Sequence, residues 1–240
     1  MNNFALAGIQ VPRIGLGTNR LTTAPEHVRF VRDAVDAGVR HIDTAHLYNS
    51  GDSEHAVGDA LHDVSEDVLV ATKGGFGGAG QGRPEVLSAQ IEQSLRSLRT
   101  DAIDLYYLHR VDPETPLEES LGAIKVYVDR GAIRHVGVSD VGVEQIERAR
   151  QVVDIAAVQN EYNLENRRDD DVIDFCEREG IAFVPYRPLQ GDGENTAKLA
   201  WLLRRSPVVL PIPGTLSLAH LRANLAVLDL DLAEADDIAS

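Results

Sequence analysis

The sequence predicts an α/β protein folded as a (β/α)8 barrel. Short runs of apolar and β-branched residues alternate with longer amphipathic stretches from residue 14 to the C-terminus, which is the pattern of repeated βα units. The apolar runs are nearly continuous, as is typical of parallel strands that are covered on both faces. A doubly wound open sheet is the structural alternative, because periodicity alone does not establish that a sheet closes.

The elements follow in order along the chain. The opening segment FALAGIQVPRIG predicts a small hairpin that turns at Gly8 and closes the barrel bottom. Eight strands are predicted at 14–17, 41–43, 68–72, 103–108, 133–138, 155–159, 181–186 and 208–212. Eight helices are predicted at 25–38, 52–62, 84–98, 117–130, 142–151, 168–179, 196–205 and 217–226. Ser53 and Thr196 stand at helix starts and are expected to be N-caps.

Length and composition limit the class of protein. The 240 residues, 43% of them hydrophobic and 25% charged, fit one globular domain spanning 1–240. The net charge of -15 disfavours nucleic acid and anionic membranes as partners. The N-terminus has no targeting pattern and no run is long enough to span a bilayer, so a cytoplasmic protein is expected, with a monomer as the expected state. The single cysteine, Cys176, excludes an internal disulfide.

Four residues at or near strand ends suggest the chemistry. Asp43, Lys73 and His109 each end or directly follow a predicted strand, and Tyr48 lies in the loop after the second one. The carboxyl ends of parallel barrel strands surround one mouth, so these side chains are expected to converge there. Only three of the 23 basic residues are lysines. Lys125 and Lys198 fall in helices and are expected on solvated faces, whereas Lys73 closes an apolar strand.

The four residue types together suit the reduction of a carbonyl group. A tyrosine with an ordinary pKa of about 10 needs a perturbing partner to protonate an alkoxide at neutral pH. A nearby lysine ammonium favours the phenolate, and an aspartate can pair with that lysine and fix it. A histidine beside them can orient a carbonyl oxygen. Each residue alone is more often a structural group, but four at neighbouring strand ends indicate a site.

Motifs along nearly the whole chain resemble the aldo-keto reductase superfamily. They are IGLGT (14–18), HIDTAHLY (41–48), ATKGG (71–75), DLYYLH (104–109), IRHVGVSD (133–140), VQNEYN (158–163), PYRPL (185–189) and IPGT followed by HLRAN (212–224). Within that superfamily the chain looks most like the bacterial branch that includes pyridoxal and pyridoxine oxidoreductases. The resemblance implies that Tyr48 is the proton donor, that Lys73 and Asp43 tune it, and that His109 orients the substrate.

The resemblance also implies a nicotinamide coenzyme across the barrel mouth, NADPH first and NADH as the alternative. By the matching motifs, Ser139, Asp140 and Gln159 would hold the carboxamide, and Tyr186 would stack on the nicotinamide ring. The family usually has Asn at the position of Asp140. The rest of the predicted coenzyme site comprises Gly17, Thr18, Arg187, Leu189, Gln190, Gly214, Thr215, His220 and Asn224. Leu47, Phe76 and Arg110 are the expected substrate contacts, and the substrate is expected to be a small carbonyl compound.

Three departures from the family pattern bear on the site. Gly214 and His220 stand where relatives usually have a Lys and an Arg for the adenosine 2′-phosphate. The connection between the seventh strand and the seventh helix is shorter than usual, and so is the tail after the eighth helix. These departures predict an open, permissive site.

Two other functions are alternatives. The altered phosphate pocket and the shortened connection fit a coenzyme-binding sensor or subunit that has lost useful catalysis. A metal hydrolase would use His41, Asp43, His46, His109 and His135, but His46 already lies in a loop, and we predict no metal site. The glycine-rich segment 74–82 lacks the ending of a phosphate-binding loop and is predicted to be a loop at the barrel mouth.

Overall fold

A computed structural model describes residues 3–230 of the chain. Seven parallel strands form one sheet in which every strand pairs with the next along the chain, and a separate antiparallel hairpin precedes them. The hairpin strands are β1 (Asn3–Leu6) and β2 (Ile9–Pro12). The sheet strands are β3 (Leu16–Gly17), β4 (His41–Asp43), β5 (Leu69–Gly74), β6 (Ile103–Leu108), β7 (Ile133–Ser139), β8 (Ile155–Gln159) and β9 (Ala182–Phe183).

Each of the eight predicted helices is present, with ends within two residues of the prediction. They are α1 (Pro25–Asp36), α2 (Asp52–Leu61), α3 (Pro84–Leu98), α4 (Leu117–Asp129), α5 (Val143–Arg150), α6 (Asp170–Glu179), α7 (Asn195–Arg205) and α8 (Leu218–Ala226). Short 3-10 helices cover Tyr48–Gly51 and Val227–Asp229. The predicted caps are wrong, because Ser53 and Thr196 lie inside the first turns of α2 and α7, after Gly51 and Glu194.

The eighth predicted strand, 208–212, is not a regular strand in the structure, and the seventh is shorter than predicted. Pro211 and Pro213 have no N–H group, so this segment cannot donate a continuous ladder of hydrogen bonds. It nevertheless lies where an eighth strand would be, joined by isolated bridges to Phe183 of β9 and Gly17 of β3. The barrel architecture is therefore confirmed, with an irregular eighth member.

Backbone hydrogen bonds on both sides of this segment close the ring. On the β9 side, Phe183 N–H donates to the Val208 carbonyl and Leu210 N–H donates to the Phe183 carbonyl, each at 2.8 Å. On the β3 side, the N–H groups of Gly15 and Gly17 donate to the carbonyls of the two prolines at 3.0 and 3.3 Å. At the two prolines, which have no N–H group, the N–H donors therefore come from the residues of the neighbouring strand.

The predicted hairpin at the barrel bottom is confirmed. It turns at Ala7 and Gly8, whose φ angles of 51° and 78° are both left-handed, as the tightest hairpin turns require. Leu6 and Val11 are fully buried against apolar side chains of the barrel interior. The rest of the core lies between the outer face of the sheet and the ring of helices. The predicted short C-terminal tail lies outside the described residues.

One buried arginine ties the start of the barrel to its end. Arg13 is 6% exposed and donates to the backbone carbonyls of Leu203 at 2.7 Å, Ser206 at 2.6 Å and Val209 at 3.2 Å. Burial lowers the pKa of its guanidinium. The side chain therefore satisfies carbonyls where α7 ends and the irregular eighth segment begins.

We expect Arg13→Met to destabilise the protein by about 3 kcal/mol, because it removes a buried donor from three carbonyls, although the Ser206 carbonyl keeps the Val209 N–H at 3.2 Å. Urea denaturation measures the loss. Arg29→Met is the matched control, because Arg29 is exposed and its loss should change stability by less than about 0.5 kcal/mol. Equal effects of the two substitutions would contradict a closing role for Arg13.

Candidate active site

A buried ion pair lies at the base of the barrel mouth. Lys73, at the end of β5, places Nζ 2.5 Å from Oδ1 of Asp43, at the end of β4, and 2.6 Å from the Thr44 carbonyl. Lys73 is 0% exposed and Asp43 is 2% exposed. Burial alone would lower the pKa of Lys73, but the charges of Asp43 and Tyr48 and hydrogen bonds to both raise it. Lys73 is therefore an ammonium group at neutral pH.

Tyr48 lies just above this pair, as the sequence predicted. Its ring centre is 5.2 Å from Lys73 Nζ and 6.2 Å from the ring centre of His109, with the two rings nearly perpendicular. The turn after Tyr48 is left-handed at Asn49 and Ser50. The Asn49 amide holds this turn by donating to the Leu21 carbonyl at 2.6 Å. The structure thus brings the four predicted residues together on one side of the mouth.

His109 is neutral in this environment. It is 6% exposed, and burial, followed by the charges of Lys73 and Arg110, lowers its pKa to about 2. Its ring centre lies 4.8 Å from that of Phe76. A neutral imidazole can donate one hydrogen bond without carrying a charge, so His109 is suited to orient a carbonyl oxygen.

Hydroxyl groups fasten the first two strand ends to α2. The Ser53 hydroxyl lies 2.9 Å from the Thr18 hydroxyl and 2.8 Å from the Thr44 hydroxyl, and it also donates to the Thr18 carbonyl. Thr18, predicted to contact the coenzyme, donates its hydroxyl to the Asp43 carbonyl at 2.8 Å. Its hydroxyl is therefore committed to the frame of the site. Ser53 was expected only as a cap. In the structure it positions the ends of β3 and β4 through contacts with Thr18 and Thr44, which are distant from it in sequence.

A cleft of about 580 Å³ opens at the mouth beside these residues. Most of the predicted site residues line it. They are Gly17, Asp43, Leu47, Tyr48, Phe76, His109, Arg110, Ser139, Gln159, Tyr186, Arg187, Leu189, Gln190 and Gly214, with Thr18 beside them. Sequence reasoning missed Asn19, Arg20, Pro188 and Asn195, which also line the cleft. Arg20 follows the matched IGLGT motif, and its charge was the signal that could have found it.

Five predicted residues do not line the cleft. Lys73 lies beneath Asp43, and Asp140 stands behind Arg110. Thr215 lies in the turn before α8, His220 in its first turn and Asn224 in its last turn, all beyond Gly214. The Thr215 hydroxyl accepts from the Ser217 N–H at 3.0 Å, and Asn224 is 4% exposed.

The residues predicted to hold a carboxamide have partners within the chain. Gln159 donates to Oδ2 of Asp43 at 2.8 Å. Ser139 accepts from Arg110 at 3.0 Å, and Asp140 pairs with Arg110 at 2.7 Å. The Tyr186 hydroxyl lies 3.1 Å from both Asp140 oxygens, and burial, then the charge of Asp140, raises the pKa of Tyr186 to about 12. Tyr186 therefore keeps its proton and donates a hydrogen bond to Asp140.

Lys198 secures the shortened connection after β9. Its solvated placement was a wrong prediction, because the side chain is 3% exposed. Its ammonium donates to the carbonyl of Leu189 at 3.1 Å and to that of Gly191. The segment that borders the cleft is thus fixed from below by the first turns of α7.

Asp112 holds the glycine-rich loop that carries Phe76. Its carboxylate accepts from the N–H groups of Gly80 at 3.1 Å and Gly82 at 2.8 Å, and from the Thr115 hydroxyl at 2.9 Å. Desolvation works against its charge, but these bonds and one from the Glu114 N–H lower its pKa to about 2. Asp112 therefore stays ionised and keeps the loop anchored beside the mouth.

Two further observations concern residues 3–230. No group of three or more His, Cys, Asp and Glu side chains in this range is arranged to hold a metal ion. None of the helices described in that range has both the length and the apolar character needed to cross a membrane.

Comparisons with known proteins agree with this geometry. The model of the aldo/keto reductase family matches residues 13–198. The chain is 34% identical to pyridoxine 4-dehydrogenase of Escherichia coli, over 97% of this chain and 95% of that protein. It is 33% identical to an uncharacterized oxidoreductase of Schizosaccharomyces pombe, over 93% and 83% of the two chains. An aldo-keto reductase of Klebsiella pneumoniae, solved in complex with NADPH, superimposes with a TM-score of 0.86 at 28% identity, covering 98% of this chain and 94% of that one.

Breaking the buried ion pair should be far more harmful than removing it. We expect Lys73→Met to cost about 3–5 kcal/mol of stability, because it leaves the Asp43 charge buried and unpaired. The double variant Asp43→Asn/Lys73→Met should recover most of that loss. Chemical denaturation of the three proteins measures it.

Lys125→Met is the control, because Lys125 pairs with Asp129 on the surface and such pairs contribute about 0–1 kcal/mol. Equal losses of stability in Lys73→Met and in the double variant would show that the cost comes from lost packing rather than from the unpaired charge of Asp43.

Proposed function

Because the chain belongs to the aldo/keto reductase family, we propose that it reduces an aldehyde or ketone to the alcohol with a nicotinamide coenzyme. The observation that carries this proposal is the buried Lys73–Asp43 pair directly beneath Tyr48, with the neutral ring of His109 facing it. This arrangement provides a proton donor and a carbonyl-orienting group side by side at an open cleft.

The roles follow from the charges. The bound coenzyme would supply the hydride to the carbonyl carbon. The Tyr48 hydroxyl donates its proton to the oxygen as negative charge develops there. The ammonium of Lys73 stabilises the phenolate that remains, and Asp43 fixes that ammonium in place. His109 donates a hydrogen bond to the same carbonyl oxygen and stays neutral.

The residues present fit a nicotinamide coenzyme. Ser139 and Asp140 already bind a planar group of N–H donors, the guanidinium of Arg110, and a carboxamide offers a similar plane. Tyr186 provides an aromatic surface at the cleft. Arg20 and Arg187 line the same cleft and bring positive charge for phosphate groups.

NADPH is the proposed coenzyme, supported by the NADPH found in the related Klebsiella enzyme. Gly214 and His220 replace the usual Lys and Arg of the 2′-phosphate site, so NADH is the alternative. Measuring KM for both coenzymes decides between them. A preference for NADH above about tenfold, or 1.4 kcal/mol, would contradict the NADPH assignment.

We expect Tyr48→Phe to abolish turnover of aldehydes and ketones while leaving coenzyme affinity unchanged, because it removes the transferred proton and little else. Coenzyme consumption across a panel of carbonyl compounds measures turnover, and fluorescence titration measures binding. Tyr127→Phe is a matched control, since that hydroxyl contacts the Ser88 carbonyl in α3, away from the cleft. Undiminished turnover in Tyr48→Phe would refute the proton-donor role.

The same measurements distinguish the enzyme from the second candidate function, a coenzyme-binding sensor. A sensor that has kept the fold would bind NADPH tightly in the wild-type protein and turn over none of the compounds. The intact set of Asp43, Tyr48, Lys73 and His109 favours the enzyme.

The pH dependence of the reaction should lack a histidine step. The pKa of His109 in the folded protein is about 2, so its ring stays neutral as the pH falls from 8 to 5. We expect kcat/KM in the direction of reduction to show no loss near pH 6.5, the ordinary histidine pKa. A fall centred there that disappears in His109→Asn would show that His109 titrates and would contradict the neutral ring. His135→Gln is the control, because His135 does not line the cleft.

A further inference from the structure

Arg110 is bound by several groups at the cleft wall. Its guanidinium carbon lies 5.2 Å from the Phe76 ring centre and 5.6 Å from the Tyr186 ring centre. One terminal nitrogen donates to the His109 carbonyl at 2.6 Å and to the Ser139 hydroxyl at 3.0 Å. The other lies 2.7 Å from an Asp140 oxygen. Arg110 is still 32% exposed, and it lines the cleft.

These partners are the ones that the proposed function assigns to the nicotinamide. The guanidinium occupies the Ser139 hydroxyl and the Asp140 carboxylate and lies beside Tyr186. The Ser139 and Asp140 oxygens could each accept a second hydrogen bond, but the guanidinium also lies over the Tyr186 ring, on which the nicotinamide is proposed to stack. Two planar groups compete for that ring, so coenzyme binding is expected to move Arg110 away from at least part of this set.

The released arginine would lack a compensating charge. Asp140 is its ion-pair partner within residues 3–230. Asp43 is the only carboxylate that lines the cleft there, and Lys73 already neutralises it. Arginines at positions 20, 110 and 187 line the same cleft, although the whole chain has a net charge of -15. Arg187 pairs with Glu161 at 3.4 Å, so Arg20 and the released Arg110 are the positive charges that no carboxylate lining the cleft in residues 3–230 balances.

Arg110 is also close to the reacting group. It follows His109 directly, and Phe76 contacts both side chains. A small molecule whose carbonyl oxygen meets Tyr48 and His109 would extend past this wall. Arginine binds carboxylates through two parallel hydrogen bonds, which add geometric specificity to the attraction between the charges.

We propose that Arg110 is a specificity residue: coenzyme binding takes over Ser139 and Asp140, and the freed guanidinium then recognises a carboxylate on the carbonyl substrate. This inference rests on the proposed function and adds the substrate class to it. Asp140, at a position where the family usually has Asn, forms the ion pair with Arg110 while no coenzyme is bound.

The test compares two aldehydes that share the same ring and differ in one para group, 4-formylbenzoate with its carboxylate and the corresponding methyl ester without a charge. With saturating NADPH, the wild-type enzyme should show a kcat/KM for the carboxylate roughly tenfold or more above that for the ester, as expected for a hydrogen-bonded charge in a binding site. In Arg110→Gln this ratio should fall to about one or below. Using the ratio cancels any general loss of activity in the variant.

Arg134→Gln is the matched control, because Arg134 is an exposed arginine that pairs with Asp104 on the outside of the barrel. It removes the same charge from the protein and should leave the ratio unchanged. Coenzyme titration gives a second, independent measurement. Arg110→Gln should bind NADPH more tightly than the wild type, since the competing guanidinium is gone.

The outcomes are distinguishable. Failure of the wild-type enzyme to reduce any aldehyde with either coenzyme would refute the proposed function itself. Reduction of the ester and the carboxylate with equal kcat/KM, or a ratio that survives Arg110→Gln, would overturn the inference and leave the function standing. Weaker NADPH binding in Arg110→Gln would show that Arg110 serves the coenzyme rather than the substrate, and would overturn it too.

Discussion

The site depends on one buried ion pair, Lys73 with Asp43. In the interior each of these two opposite charges compensates the other. Removing one partner would leave the other buried without compensation. The pair also acts on its neighbours. After burial, the charge of Lys73 helps to lower the pKa of His109, and Gln159 donates a hydrogen bond to Asp43. In the proposed reaction, the Lys73 ammonium beneath Tyr48 is the charge that stabilises the phenolate.

The barrel supplies the rigidity that this pair needs. Asp43 and Lys73 end adjacent parallel strands whose register is fixed by backbone pairing, so their separation does not depend on a loop. The two loop segments at the mouth are held by hydrogen bonds with side chains. Asp112 holds the glycine-rich loop and Lys198 holds the connection after β9. Sites built on strand ends and then braced by polar side chains keep their geometry better than sites built on loops alone.

Local patterns in the sequence were enough for the helices, six of the eight barrel strands and the four residues at the strand ends, because strand and helix periods are local properties. They failed where the outcome depends on distant partners. Nothing near Ser53 shows that it meets Thr18 and Thr44, and nothing near Lys198 shows that it is buried. The prolines at 211 and 213 were a signal for an irregular strand that the prediction of a strand at 208–212 overlooked, since proline cannot donate to a ladder. The pairing of Arg110 with Asp140 brings together residues of two strand ends and was visible only in three dimensions.

The irregular eighth segment also has a consequence for how the chain folds. It joins β9 to β3 and so completes a ring whose first and last members are almost 200 residues apart in sequence. Contacts of that separation cost the most chain entropy and form late. The cleft residues before β9 lie on sequentially paired strands or in the segments that follow them, whereas Ile212 and Gly214 join the mouth only at this last step. Folding in that order would bring the strand-end residues Asp43, Lys73 and His109 together before the cleft acquires its final wall.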